Sequence, residues 1–353
     1  MTDPIPAVAA PPVPEYPVNE DIPLEAQGSW PASVHCFDAR TAAALRAAEA
    51  AGRPLLVRGK PGVGKSQTAR AAAAAAGRTF LSVVIDGRTE PHDLMWRFDA
   101  VRRLAHAQQR DHGDLQPERN YLQPEALWWA YDWVGAARQA ERVGVRLPAI
   151  PTEGLLARRD RAVLLIDEID KADPELPNAL LEVLANRGFS DPYGGEPVTC
   201  DTATRPLVII TTNEERELPA AFLRRCLVRT LELPERPNEL IDYLVDLAQR
   251  HQGFLLGRKL RVGACSETVM RRAAGQLAER RREAEQAGLY APGTAEFLDM
   301  VNALATLWPD DEAEQAKQLD TLAEFALLKE PELARMDAER RRREAAAAAQ
   351  APR

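Results

Sequence analysis

The sequence is poor in cysteine. Its 353 residues include four, at Cys36, Cys200, Cys226 and Cys265, and no two of them stand at the short spacing of a metal-binding pair. Scattered thiols of this kind are the ordinary state of cysteine in a reducing compartment. The cysteines therefore exclude a disulfide-stapled scaffold and a cysteine-based zinc site, and they favour a cytoplasmic protein.

Long apolar runs and positive charge are also scarce. No apolar stretch reaches the length of about 18 residues needed to span a membrane, and the N-terminus lacks the charged and then apolar segments of a signal peptide. The net charge is −8, so no overall positive field favours a nucleic acid as partner, although a ring could line its pore with local charge. We expect a soluble, intracellular protein that inserts into no membrane.

The sequence does contain enough apolar material for a large core, since 45% of its residues are hydrophobic. Continuous apolar runs, separated by helical stretches, predict a parallel sheet that helices cover on both faces. The fold class is therefore α/β. The predicted strands are Leu55–Arg58, Phe80–Ile85, Ala162–Ile166, Leu207–Thr212 and Arg229–Leu233.

Changes in composition divide the chain into four segments. Residues 1–31 are rich in proline and lack periodicity, which predicts an irregular arm. Residues 32–235 contain the predicted strands and form the αβα domain. In residues 236–330 apolar side chains recur at intervals of three and four, which predicts an α-helical domain. Residues 331–353 are a charged, alanine-rich helical tail.

The stretch "GKPGVGKS" directly follows the first predicted strand. Its glycines allow a tight turn that aims backbone N–H groups at phosphate oxygens. Lys65 can bridge the β- and γ-phosphates of a nucleotide, and the Ser66 hydroxyl can hold Mg²⁺. The alanine-rich stretch after it predicts a helix whose positive end faces the phosphates. A glycine-rich turn without a ligand is the alternative. The predicted nucleotide-binding residues are Gly59, Lys60, Pro61, Gly62, Val63, Gly64, Lys65, Ser66 and Gln67.

Two carboxylates end the predicted strand in "AVLLIDEIDKAD". They come at the carboxyl end of the strand, which is where open α/β sheets bind ligands. Asp167 can hold Mg²⁺ through water, and Glu168 can polarise an attacking water. A strand that merely ends in two acids is the alternative, but the phosphate-binding loop earlier in the chain favours the catalytic interpretation.

The next predicted strand, "LVIITTN", ends in Asn213. Its amide can orient the attacking water or contact the γ-phosphate without adding negative charge; a residue that only begins the following turn is the alternative. Arg224 and Arg225 follow about twelve residues later. An arginine without an acid beside it suits a finger that reaches the γ-phosphate of a neighbouring subunit, whereas an ordinary surface pair is the other interpretation.

These elements, in this order, resemble the AAA+ ATPases. The sequence motifs "GKPGVGKS", "LLIDEIDKAD" and "IITTNEERELPAAFLRRC" resemble those of the MoxR branch. The resemblance spans about residues 35–330. It implies a P-loop NTPase sheet with a C-terminal α-helical lid. Arg225 is chosen over Arg224 because the family places its finger directly before a residue that is often aromatic. The implied catalytic residues are Lys65, Glu168, Asn213 and Arg225, with Ser66 and Asp167 on the metal.

The resemblance also implies the activity and the partners. The chain would hydrolyse ATP with Mg²⁺ between subunits of a ring, most simply a hexamer. It would remodel or activate a client protein in a chaperone-like manner, for example one with a von Willebrand factor A domain. One alternative is a slow ATP-dependent switch in a bacterial signalling or defence system. A second is a motor stimulated by nucleic acid, which the acidic balance disfavours.

Further segments extend the resemblance, and one departs from it. Inserts are predicted near residues 87–155 and 187–206, and the first contains "NYLQPEALWWAYDWV" (120–134), whose aromatic residues are assigned mostly to core packing. MoxR-like lids often begin a late helix with an arginine that contacts nucleotide. The matching stretch here has Thr294 and Ala295 at that point. Either this second sensor is absent, or a basic residue from Arg271, Arg272 or Arg280–Arg282 replaces it.

Overall fold

The structure is a computed structural model that describes residues 12–109, 117–145, 161–329 and 335. These residues form two compact units. The first contains the chain up to Gly59 together with Lys65–Thr230, and the second contains Lys60–Gly64 together with the chain from Leu231 onwards. The predicted tail lies outside the described residues, apart from Arg335, and so does the beginning of the predicted N-terminal arm.

The elements follow the order expected of an α/β domain and a helical region. The strands are β1 (Ile22–Leu24), β2 (Ser33–His35), β3 (Leu55–Arg58), β4 (Phe80–Val84), β5 (Trp96–Phe98), β6 (Leu122–Pro124), β7 (Val163–Asp167), β8 (Gly188–Phe189), β9 (Val198–Thr199), β10 (Leu207–Thr212) and β11 (Leu227–Thr230). The helices are α1 (Ala39–Ala51), α2 (Lys65–Ala76), α3 (Ala100–Gln109), α4 (Ala126–Tyr131), α5 (Trp133–Val143), α6 (Glu175–Asn186), α7 (Ala220–Leu223), α8 (Pro237–Gly257), α9 (Glu267–Ala287), α10 (Thr294–Leu307) and α11 (Glu312–Leu327).

The first unit is built on a five-stranded parallel sheet in the order β11-β3-β10-β7-β4. Its central strands are apolar on both faces, and Leu165 and Ile209, which are register partners, are fully buried. Such double burial is what continuous apolar runs predict, because helices must cover both faces of a parallel sheet. The predicted α/β fold class is confirmed. A strand is present in each predicted region, but β11 begins two residues and ends three residues earlier than predicted, and β4 and β7 differ by one residue at their ends.

The neighbouring carboxyl ends of β3, β10 and β7 place three polar segments side by side. Thr212 of β10 is the register partner of Arg58 in β3, and Ile210 is the partner of Ile166 in β7. The loop after β3, the acids that end β7 and the asparagine after β10 therefore meet at one edge of the sheet.

The described residues of the predicted inserts include two short antiparallel strand pairs: β5–β6, whose strands are separated by α3 in the sequence, and the hairpin β8–β9. Ring contacts join them: Trp96 lies 5.6 Å from Phe189 and Phe98 lies 5.4 Å from Tyr193, measured between ring centroids. The aromatic residues of α4 and of the start of α5 are buried, which supports their assignment to core packing. They are Trp128, Trp129, Tyr131 and Trp133.

The N-terminal segment differs from the irregular arm that its prolines predict. β1 pairs with β2 in an antiparallel ribbon, and the alternate side chains of Ile22 and Leu24 are buried. Arg70 of α2 donates a hydrogen bond to the carbonyl of Glu25 and stacks on Trp30. A three-residue strand has too little periodicity to stand out in a proline-rich sequence, and burial against α2 stabilises it here.

The second unit is helical, as predicted. The long helices α8–α11 bury one apolar stripe each, and the core contains Leu244, Leu277, Phe297, Leu304 and Leu319. The side chain of Val63 packs against this core. Within the described residues of either unit, no helix combines the length and the apolar content needed to cross a bilayer.

Candidate functional site

The loop between β3 and α2 reverses the chain within a few residues. Gly62 has φ 78° and Gly64 has φ 91°, which lie in the region that only glycine adopts without strain. α2 then begins at Lys65. The glycines predicted from "GKPGVGKS" are therefore required by the backbone, and the first turn of a 12-residue helix follows them directly.

Lys65 is a buried ammonium between two oxygens. Its Nζ donates to the carbonyl of Gly59 at 2.7 Å and to Asn213 Oδ1 at 2.6 Å. Burial lowers the pKa of Lys65, and the charges of Asp167 and Asp170 oppose that effect. Phosphate oxygens carry more negative charge than the carbonyl oxygen of Gly59 or the amide oxygen of Asn213. A phosphate can therefore replace these two oxygens as hydrogen-bond acceptors of Lys65.

Ser66 lies against the first acid of β7. Its hydroxyl is 2.9 Å from Asp167 Oδ1 and 2.9 Å from Asp167 Oδ2. The Thr211 hydroxyl also donates to Asp167. A hydroxyl beside a carboxylate is a donor set that suits Mg²⁺, which is usually held by one or two protein oxygens together with substrate phosphates. The described residues include no group of three or more His, Cys, Asp or Glu side chains that could hold a metal alone.

Glu168 has an unusual backbone, and each oxygen of its half-buried carboxylate has a hydrogen-bond partner. Its φ of 61° is left-handed, and its N–H donates to Thr211 Oγ1 at 2.9 Å. Lys171 Nζ lies 2.6 Å from Glu168 Oε2, and Asn213 Nδ2 lies 3.4 Å from Glu168 Oε1. The hydrogen bond to Glu168 raises the pKa of Lys171. The predicted water-activating carboxylate is thus held on both of its oxygens.

Asn213 joins the predicted residues into one site. Its side chain accepts from Lys65 and donates towards Glu168, so a hydrogen-bonded chain runs from Gly59 O to Lys171. The turn that carries Asn213 is anchored by Asp170, whose Oδ2 accepts from the N–H groups of Asn213 at 3.1 Å and Glu215 at 2.9 Å. Asp170 is 2% exposed.

Three residues of this site were missed by sequence reasoning: Asp170, Lys171 and Thr211. Asp170 and Lys171 lie within the quoted motif "LLIDEIDKAD", and Thr211 lies within "LVIITTN". An acid and a base within three residues of Glu168 were a usable signal. The hydrogen bond from Thr211 to Asp167 joins two neighbouring strands, β10 and β7, and no local sequence pattern indicates it.

The predicted finger residues stand apart from this chain of hydrogen bonds. Arg224 and Arg225 are both exposed at the end of α7. Arg225 Nη1 is 3.5 Å from the carbonyl of Ala221, a long contact. Within the described residues, Arg225 forms no hydrogen bond or ion pair with Lys65, Asp167 or Glu168. The structure leaves its guanidinium facing solvent, next to the buried Cys226.

The crest of the loop, Lys60–Gly64, belongs to the helical unit. Lys60 Nζ lies 2.8 Å from Glu285 Oε1 of α9. The carbonyl of Gly62 accepts from the N–H of Thr294 at 3.2 Å and from the Thr294 hydroxyl. Thr294 is one of the two residues, together with Ala295, that stand where the resemblance places a nucleotide-contacting arginine.

The arginines considered as replacements are mostly paired with acids within the helical unit. The pairs are Arg271–Asp242, Arg272–Asp320, Arg280–Glu283 and Arg281–Glu285. Gln67, the last of the predicted loop residues, lies in the first turn of α2, and its buried Oε1 has no hydrogen-bond partner among the residues that the structure describes.

Residues 54–226 match the family model described as AAA domain (dynein-related subfamily). The matched segment includes every residue of the site from Gly59 to Arg225. The order of the parallel strands, the loop between β3 and α2 and the C-terminal helices agree with the AAA+ P-loop NTPase fold. This part of the chain matches an AAA domain and has the corresponding fold. No curated protein matches the sequence significantly.

Solved structures with a similar course of the chain are known. The Holliday junction branch migration motor RuvB of Thermotoga maritima is 13% identical, with a TM-score of 0.41, over 81% of this chain and 67% of that one. NtrX of Brucella abortus, solved with ADP, is 16% identical, with a TM-score of 0.42, over 78% of this chain and 52% of that one. Likeness at this level does not extend to function.

Proposed function

We propose that the chain hydrolyses ATP to ADP and phosphate at the carboxyl ends of β3, β7 and β10. The observation that carries this proposal is the hydrogen-bonded chain from Lys65 through Asn213 to Glu168, beside the Ser66–Asp167 pair. A cation, a metal-binding pair, a polar amide and a general base are the parts that phosphoryl transfer to water requires.

Each residue has a separate task. Lys65 exchanges its carbonyl and amide partners for phosphate oxygens, which are the stronger acceptors. Ser66 and Asp167 would hold Mg²⁺, which would supply positive charge next to the phosphate oxygens. Glu168 accepts the proton of the attacking water, and Asn213, once Lys65 has turned to phosphate, orients that water.

Arg225 completes the site of a neighbouring subunit in this proposal. Its exposure and the lack of a carboxylate partner in the described residues leave the guanidinium available for a phosphate in trans. Each ATP would then lie at a subunit boundary of a ring, and a hexamer is the arrangement that the MoxR resemblance favours.

The proposed role of hydrolysis is the chaperone-like remodelling of a partner protein, as the MoxR resemblance implies. A client with a von Willebrand factor A domain is the first to test. A second candidate is a slow ATP-dependent switch, and one observation favours it. Both oxygens of Glu168 are engaged, by Lys171 and Asn213, so the base is restrained before any partner binds.

Turnover of the wild-type protein, alone and with a candidate client, tests these roles. We expect Glu168→Gln to keep ATP bound, to hydrolyse it at least about a hundredfold more slowly and to retain the client. Lys65→Ala, which loses the phosphate contact, is the matched control and should retain neither. Single-turnover rates that stay slow with the client present would favour the switch. Stimulation by DNA with a steep salt dependence would instead indicate a nucleic-acid motor.

A further inference from the structure

Within the helical unit, the start of α10 holds one peptide group of the crest Lys60–Gly64 of the loop. Two donors of a single residue, the N–H and the hydroxyl of Thr294, converge on the carbonyl oxygen of Gly62. Gly62 and Thr294 are separated by 232 positions in the sequence. Thr294 is the first residue of α10, so the carbonyl also lies at the positive end of a 14-residue helix.

This contact fixes the direction of the next N–H in the loop. The peptide bond between Gly62 and Val63 is planar and trans, as all peptide bonds of the described chain are, so its C=O and N–H point in opposite directions. When Thr294 holds the carbonyl, the Val63 N–H is turned away from α10. Loops of this kind bind phosphate through N–H groups that point to one side, so the carbonyls must point to the other.

The residues around Thr294 hold the start of α10 close to the loop. A side chain at Gly293 would place a Cβ 3.0 Å from the carbonyl oxygen of Pro61 and 3.3 Å from Gly62 Cα, so the loop would have to move away by a few tenths of an ångström. Glu296 caps the helix by accepting from the Gly293 N–H at 3.0 Å, and Lys329 Nζ lies 2.9 Å from the same carboxylate. Burial works to raise the pKa of Glu296, but the hydrogen bonds that its carboxylate accepts, these two among them, and the charge of Lys329 outweigh burial and hold the pKa below its usual value.

We propose that Thr294 is a positioning residue for nucleotide binding, which holds the Gly62–Val63 peptide so that its N–H is available to phosphate. The proposal rests on the proposed function, because it assigns a nucleotide to this loop. Thr294 acts in this proposal through the backbone of the loop, by its two hydrogen bonds to the Gly62 carbonyl.

The test compares Thr294→Val with Thr294→Ser and Thr306→Val. Valine keeps the shape of threonine but loses the hydroxyl, so we expect the Kd and KM for ATP to rise about threefold to tenfold while kcat at saturation changes less than about twofold. Serine should restore wild-type binding. Thr306 lies on the same helix and donates to the Asn302 carbonyl at the exposed face, so its substitution should change neither constant.

A second measurement does not depend on activity. Hydrogen exchange of the segment 59–66 in the nucleotide-free protein should be faster in Thr294→Val and in Gly293→Ala than in the wild type, with an unchanged melting temperature showing that α10 is intact. Wild-type affinity and exchange in Thr294→Val would overturn the inference. A wild-type protein that binds no nucleotide would instead overturn the proposed function, and the exchange data would still decide whether Thr294 orders the loop.

Discussion

The ammonium of Lys171 lies 2.6 Å from Glu168 Oε2, three residues earlier in the chain, where the backbone of Glu168 is left-handed. The 3₁₀ turn Ile169–Lys171 brings the two side chains together. Because the other carboxylate oxygen faces Asn213, the proposed general base is restrained from both sides. The pair is partly exposed, with 41% of the Lys171 side chain and 30% of the Glu168 side chain accessible to solvent. Separating the two side chains therefore costs little free energy.

Removing this restraint should raise the basal ATPase rate. Lys171→Met keeps the length of the side chain and loses the charge, and we expect a rate about two- to fivefold higher without a partner, which corresponds to the usual strength of a half-exposed ion pair. Steady-state phosphate release measures the effect. Lys317→Met, which removes a similar pair with Glu314 in the helical unit, is the control. A lower rate in Lys171→Met would mean that the lysine aligns Glu168 for catalysis.

Loss of the Asp170 carboxylate should disturb the turn that carries Asn213. Asp170→Ala leaves two N–H groups without their acceptor, each at a cost of about 1–3 kcal/mol if it stays buried, so both the free energy of unfolding and kcat should fall. Denaturant unfolding and ATPase assays measure the two effects.

Asp201→Ala provides the comparison for Asp170→Ala. Asp201 also accepts from a backbone N–H, that of Thr204 at 2.7 Å, but in an exposed turn where water can replace it. We expect a change in stability below about 1 kcal/mol and no change in kcat. Equal effects of the two substitutions would show that Asp170 has no special role in the site.

We expect the aromatic stretch 120–134 to contribute to the folding of the first unit more than to the binding of a partner. Trp128 is 2% exposed and packs in the core of the first unit, so Trp128→Ala should destabilise that unit by about 3–5 kcal/mol, and deletion of 120–134 should prevent its folding. Val134→Ala changes a side chain that is 59% exposed and should be nearly neutral. Thermal unfolding compares the variants. A soluble deletion variant with normal ATPase would make the stretch a docking surface instead.

The trans role of Arg225 is tested by mixing two inactive variants. Arg225→Ala should bind ATP almost normally and lose on the order of a thousandfold or more in turnover, while Lys65→Ala should fail to bind. In mixed rings some boundaries pair an intact Lys65 with an intact Arg225, so part of the activity should return. No recovery at any mixing ratio would exclude a finger in trans. A fully active Arg225→Ala combined with an inactive Arg224→Ala would assign the role to Arg224.

The local requirements of this protein could be predicted from its sequence. The turn in "GKPGVGKS" could be predicted because Gly62 and Gly64 adopt positive φ values, and a helix begins directly after them at Lys65. The strands could be predicted because continuous apolar runs must be covered on both faces of a sheet. These features and the helical C-terminal region depend on neighbouring residues alone. The position of the acids of "LLIDEID" at the carboxyl end of β7 could be predicted for the same reason, since the end of a buried strand is a local feature.

Only the tertiary structure decided which side chains restrain these residues. Asp170 meets the Asn213 turn across 43 positions, Lys65 meets Asn213 across 148, and Thr294 meets Gly62 across 232. Hydrogen bonds between distant segments leave no periodicity, because each depends on one donor and one acceptor whose separation is set by the packing of whole elements. The buried β1 strand has the same explanation: three residues are too few for a pattern, and it is the burial against α2 that stabilises them.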